Sequence, residues 1–282
     1  MKTKKEKKQY SEEAIEESIK KTLARFADEE WQQLEEEVYA SLSEEEWNTI
    51  TGEELDRRIE KLKEQKKQDL ATFDTAFDKP HDNDFLTLCN IGEHLTSAIK
   101  EKDYDSILNV LDKLSLPKGF FLKVEEAQQH RLDNESNIFL EADGDTYDDS
   151  EIWDYIHVED SIHGAWQAYL LNRLRHILPL YGHALYDSRT YIYCSSGKDI
   201  TVPEDTYSSY LGEEESKQLA NLTNLEPDIV EFDGKYLISC CYLDYDHSLI
   251  REIVAVSISN DTASFNDIGQ KYLIKRKRSI HC

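Results

Sequence analysis

Through the first 116 residues apolar side chains recur at three- and four-residue spacing, the period of a helix with one buried stripe. Ile15, Ile19, Leu23 and Phe26 form one such stripe, and Trp31, Leu34, Val38 and Leu42 form a second. Ser43 with Glu46, and Thr51 with Glu54, have the spacing at which a hydroxyl and a carboxylate reciprocally cap a helix start. A long helix is predicted from Gly52 to about Phe77, with Leu55, Ile59 and Leu62 as its narrow stripe. The stripe breaks at Lys66, which favours packing within its own domain over a coiled coil. Beyond a turn at Pro80, His81, Asp82 and Asn83, residues Phe85, Leu88, Leu95 and Ile99 share a helical face. With a second helix from Tyr104 to Leu114 they predict an antiparallel helical hairpin. The pattern is not restated at a fixed period, which excludes a solenoid.

At Pro117 and Gly119 the period changes from helical to alternating. Phe120 to Val124 and Ile138 to Leu140 read as strands. The densest apolar run follows: Trp166, Leu170, Leu171, Leu174, Ile177 and Leu178 make a helical face too apolar for water, so this helix is expected at the centre of the core. Pro179 ends it, and Tyr191 with Tyr193 alternates against Ile192 with Cys194, as in a half-buried strand. A short helix is expected from Glu213 to Leu222. Ile229 to Phe232, Asp233-Gly234 and Lys235 to Tyr245 form a hairpin signal, because Asp-Gly accepts the positive φ angles of a two-residue turn. Strands from Ile250 to Ser259 and from Lys271 to Lys275 complete an antiparallel sheet. The predicted fold class is α+β: a helical N-terminal half followed by an antiparallel-sheet domain with one central buried helix. Its predicted parts are a basic tail over 1–9, a helical domain over 10–116 and an α+β domain over 117–282.

Composition narrows the function classes. The 282 residues are 39% apolar, enough for a sizeable core, and 58 acids against 33 Lys and Arg leave a formal charge of −25. Such a charge disfavours direct binding to nucleic acid or to an anionic membrane surface and leaves a basic protein as the expected partner. The lysines of residues 1–9 read as a frayed tail, and the terminal Lys275, Arg276, Lys277 and Arg278 as pairing with the chain's own carboxylates or blunting a sheet edge. No apolar run reaches a membrane span or a signal segment, and five cysteines without CxxC spacing suit a reducing compartment, so the expected location is the cytoplasm. Between Arg131 and Arg173 there are 11 acids and no Lys or Arg, most of them in EADGDTYDDSEIWD, which reads as a solvated loop. It departs from a calcium-binding loop: counted from Asp143, the glycine position holds Asp148 and the terminal glutamate position holds Asp154.

The chain has no GxxxxGK[ST], GxSxG, HExxH or GxGxxG, so nucleotide and hydrolase chemistry lacks a template and no cofactor is implied. His157, Asp160 and His163 have spacing that does not align on one helical face, so they make no metal set. The candidate ligand-binding residues are Tyr181, His183, Tyr186, Asp187 and Arg189. Gly182 lets the chain turn beside an imidazole there, with phenols and a guanidinium a few residues away. The same residues also suit a scaffold in which Arg189 is ion-paired and the tyrosines pack. The expected function is a cytosolic interaction or regulatory protein that binds a basic partner through acidic surfaces. Two alternatives stand beside it: a small-molecule enzyme or ligand-binding protein using the His183 to Arg189 loop, and an acidic inhibitor that mimics nucleic acid.

Overall fold

The computed structural model describes residues 34–35, 38–39, 41–78, 84–101, 103, 106–124, 138–147, 151–177, 189–200, 213–244 and 247–275. They form an α+β fold: helices first, then antiparallel sheets. The chain divides into two compact units, one up to Gln68 and one from Asp69. In the first, α1 (Glu44–Thr49) starts with the predicted capping box: the Glu46 N–H donates to Ser43 Oγ, and Glu46 Oε2 accepts from the Ser43 N–H at 3.1 Å. The Glu54 N–H donates to Thr51 Oγ1 at 3.2 Å as α2 (Gly52–Asp74) begins. Leu34, Val38, Leu55 and Ile59 are buried together as the core of this unit.

The second unit opens on the last residues of α2, followed by a 3-10 turn, Thr75–Asp78, and α3 (Phe85–Lys100), whose first turn is capped by Asp84 accepting from the Thr87 N–H at 3.2 Å. The helix expected from Tyr104 to Leu114 is replaced among the described residues by a single turn, α4 (Ile107–Val110), and a strand, β1 (Leu114–Ser115). The cause is competition for backbone groups. The Lys113 N–H donates to Gln167 Oε1 at 2.7 Å, Lys113 O accepts from the Glu159 N–H, and β1 pairs with β5 further along the chain. Next come β2 (Phe121–Val124), β3 (Ile138–Ala142) and β4 (Asp145–Tyr147), a three-stranded antiparallel sheet. The acidic stretch is therefore not loop throughout. Asp143 and Gly144, with φ of 52° and 89°, make the tight turn between β3 and β4, and a 3-10 turn, Ile152–Asp154, precedes β5 (His157–Val158).

The helix expected at the centre is α5 (Ile162–Ile177), in which every residue from Gly164 to Leu171 is buried. It lies in one core with Leu88, Leu95 and Ile99 of α3, Leu140 of β3 and Ile250, Val254 and Val256 of the main sheet. Residues on both sides of Pro117 thus share that core. Trp166 ties them directly: its Nε1 donates to Leu88 O at 3.0 Å.

The main sheet is built from β6 (Thr190–Ile192), β7 (Asp228–Phe232), β8 (Lys235–Leu243), β9 (Leu249–Ser259) and β10 (Thr262–Ile274), with α6 (Glu213–Ala220) between β6 and β7. One edge of β8 pairs with β9, while the other is shared, β7 taking the first part and β6 the last. The last strand starts nine residues earlier than expected, pairing with β9 from Thr262 onward. The sheet is covered on both faces. Ile238, Cys240 and Tyr242 point to the α5 side, while Leu237, Ile253 and Ala255 meet Leu70, Phe73, Ala76 and Phe77 on the other. This explains why YLISCCYL and LIREIVAVSIS are nearly continuous apolar runs rather than alternating ones.

Gly164 sits where α5 passes the chain that leads into it: a Cβ there would stand 1.9 Å from the Glu159 carbonyl oxygen. Helix propensity favours Gly164→Ala by about 1 kcal/mol, but the clash is with backbone and has no flexible side chain to relieve it. Gly164→Ala is therefore expected to destabilise the protein by about 3 kcal/mol, the upper part of the range for overpacked sites. Urea unfolding measures this, and a variant as stable as the parent contradicts the packing described.

Candidate functional site

Of the five residues singled out in the sequence, Tyr181, His183, Tyr186 and Asp187 lie outside the described residues, and Arg189 lies within them. Arg189 stands at the entry to β6, with its side chain 19% exposed. Its ionic partner is Glu252, in the middle of β9, at 3.2 Å, and its guanidinium lies 4.5 Å from the Tyr242 ring centre. Glu252 is 2% exposed and is the hub of a buried polar cluster. Its Oε1 accepts from the Tyr169 hydroxyl at 2.6 Å and from the Tyr191 hydroxyl at 3.2 Å. Its Oε2 takes Arg189 and, at 3.4 Å, Arg173. Arg173, buried on α5, also donates to Asp267 of β10, whose own side chain is 63% exposed. Arg173 Nε has no hydrogen-bond partner among the described residues.

The elements place these groups for simple reasons. Glu252 is in phase with Ile250, Val254 and Val256, the β9 residues that face α5, so its carboxylate must be paired inside the protein. Tyr169 and Arg173 are one helical turn apart on α5 and project onto the same part of the sheet. Tyr191 faces Tyr242 across the β6–β8 pair, their ring centres 5.6 Å apart.

Electrostatics make the cluster a closed unit. Burial raises the Tyr169 and Tyr191 phenols well above their ordinary range, with the Glu252 charge adding to it, so both stay protonated and donate. For Arg173 burial opposes the charge, yet Glu252 and Asp267 outweigh it and hold the guanidinium ionised. Two arginines and two carboxylates sum to zero charge. Oε1 of Glu252 accepts two hydroxyls and Oε2 faces two guanidinium groups, so the carboxylate is held by its own neighbours and the cluster offers no excess positive charge for an anion. Glu252 is absent from the residues singled out in the sequence, although one signal marks it: a glutamate in phase with the apolar face of a strand that is apolar on both faces.

The other chemically suggestive groups are dispersed. His157 is in β5 and exposed, Asp160 accepts the Tyr236 hydroxyl at 2.9 Å, and His163 is in the first turn of α5, so the three share no helix. No group of three His, Cys, Asp or Glu among the described residues is arranged to hold a metal ion. The four described cysteines are free thiols. Burial pushes Cys89 up to about 11 and also raises Cys194, Cys240 and Cys241, so they are protonated near neutral pH and poor nucleophiles.

At the α5 N-terminal end of the unit, acidic side chains come together from distant parts of the chain. The Val158 N–H donates to Asp261 O at 2.7 Å, and Gln167 Nε2 donates to Asp112 Oδ1 at 2.8 Å. The Tyr236 phenol is pushed up to about 12 by burial and then by Asp160 and Glu231. Asp112, Glu159, Asp160, Glu231, Asp233 and Asp261 are all exposed there. The cations among them are Lys113, paired with Glu159 at 3.1 Å, and Lys235 beside the β7–β8 turn. Among the described residues no helix is long and apolar enough to cross a membrane. Comparison with family models, with curated proteins and with solved structures found no match.

Proposed function

We propose that the protein is an interaction or regulatory protein that binds a basic protein partner through its acidic surfaces. The observation that supports this reading is the gathering, among the described residues, of six exposed carboxylates from four chain segments at one end of the second unit, against two lysines. Like charges brought together by folding cost stability unless they are solvated or met by a partner of opposite charge. The interior polar cluster gives catalysis no comparable support, because the carboxylate at its centre is held by its own neighbours.

The reading is tested by titrating the full chain with a labelled lysine-rich peptide and with its fully acetylated form. The expected result is saturable binding near one peptide per chain, lost on acetylation. Affinity should fall about tenfold or more as salt rises from about 0.05 to about 0.5 M, since the Debye length shrinks over that range. No binding, or many weak equivalent sites, overturns it.

A further inference from the structure

The small sheet β2–β3–β4 buries one face only. Leu122, Val124, Ile138, Leu140 and Tyr147 join the main core, and the alternation of the strands leaves Phe121, Lys123, Phe139, Glu141 and Thr146 on the other face. Phe121 is 61% exposed and Phe139 is half-buried, and neither packs in a core cluster of the described residues. The register sets four of these side chains at the corners of a rectangle. Phe121 is directly across from Glu141 and Phe139 directly across from Lys123, so the phenylalanines share one diagonal and the charges share the other. Lys118 is exposed just before β2 and Asp143 in the β3–β4 turn, at the same end of the sheet. Asp145, also exposed, is in register with Ala142 of the buried face and stands outside the rectangle. Lys118 and Lys123 against Glu141 and Asp143 leave the patch without net charge, on a chain whose formal charge is −25.

We infer that this face is a self-association site, on which a second copy of the chain packs through the same four residues about a two-fold axis. The rectangle selects the axis. When two such faces meet, an axis along the strands sets each Phe121 on a Glu141, and an axis across the strands sets each Phe121 on a Lys123. An axis along the charged diagonal sets like charges on each other. An axis along the phenylalanine diagonal sets Phe121 on Phe121 and Phe139 on Phe139, and lays each Glu141 beside Lys123 of the second copy. That last arrangement alone buries the apolar pair and matches the charges. Two copies of so acidic a chain repel one another, and a patch without net charge is where that repulsion is least. Four residues a side are far fewer than the about 20 to 30 of a stable interface, so the dimer is weak and forms only as concentration rises.

The test is sedimentation of the full chain from about 1 µM to about 1 mM, the range in which weak contacts saturate. The parent should pass from monomer toward dimer. Phe121→Thr, which keeps a good strand former at the site, should raise the dissociation constant about tenfold or more with the melting temperature unchanged. Lys123→Glu alone and Glu141→Lys alone should each weaken the dimer to a similar extent, because each sets like charges across the contact twice. An equimolar mixture of these two variants should dimerise about as well as the parent, since each contact between unlike copies then joins a lysine to a glutamate. Mixing repairs nothing if the two residues serve only their own sheet. A parent that stays monomeric throughout, a dimer indifferent to Phe121→Thr, or a mixture no better than its components overturns the inference.

Discussion

Glu252→Ala should lower the free energy of unfolding by about 3 to 5 kcal/mol, the usual cost of leaving a buried charge without its partner. The variant takes from Arg173, whose side chain is 6% exposed, its buried counter-charge and leaves it only the exposed Asp267, and it removes the acceptor of both the Tyr169 and Tyr191 hydroxyls. Arg189 suffers less, because its greater exposure allows partial hydration. Tyr169→Phe, which deletes a single donor and leaves the carboxylate its other contacts, should cost only about 1 kcal/mol. The sharper consequence concerns additivity. Replacing the charged trio together, by Arg173→Met, Arg189→Met and Glu252→Leu, removes the desolvation cost along with the attraction and should recover most of the loss of the single variant. Asp267 is then left in water, which its exposure permits. Urea unfolding of the parent and these variants checks the scheme. A Glu252→Ala protein within about 1 kcal/mol of the parent would mean that the cluster is hydrated, and its reading as scaffold would fail.

Trp166→Ala should cost about 3 to 5 kcal/mol, as large aromatic truncations in a core do. Trp166 is fully buried, stacks on Tyr169 at 5.2 Å and meets Tyr193 edge-on at 6.5 Å. Trp166→Phe keeps most of that packing but loses the indole hydrogen bond to Leu88 O, and about 1 to 2 kcal/mol is expected for it. Because Trp166 joins α3 to α5, amide protection should fall in α3 as well as in the main sheet of the alanine variant. Protection lost in α3 alone, with the sheet unchanged, would make the segment before Pro117 a separately folding piece, as the change of period there predicts.

Local chemistry was enough for much of this protein. The capping pair Ser43 and Glu46, the Asp233-Gly234 turn with φ of 51° and 71°, and the apolar helix around Trp166 each follow from neighbouring residues alone. Their physical causes act over a few residues: a hydroxyl in reach of a free amide, a residue that tolerates positive φ, a helical face too apolar for water. The Asp143-Gly144 turn carried the same signal, yet the acids around it drew the whole stretch toward a loop reading. What tertiary structure decided was pairing across distance. The front of β10, TASFNDIGQK, has too few apolar residues to announce a strand, and it is extended because β9 offers it a ladder of backbone partners. The end of the expected helix at 114 became β1 because Gln167, Glu159 and β5 compete for its backbone groups. Arg189 was legible as a guanidinium that needs a carboxylate, but its partner lies 63 residues onward and the Tyr169 phenol that completes the site is 83 residues from that partner. Spacing along the chain carries no information at such separations; only the fold, by laying α5 across β9, brings those groups within hydrogen-bonding distance.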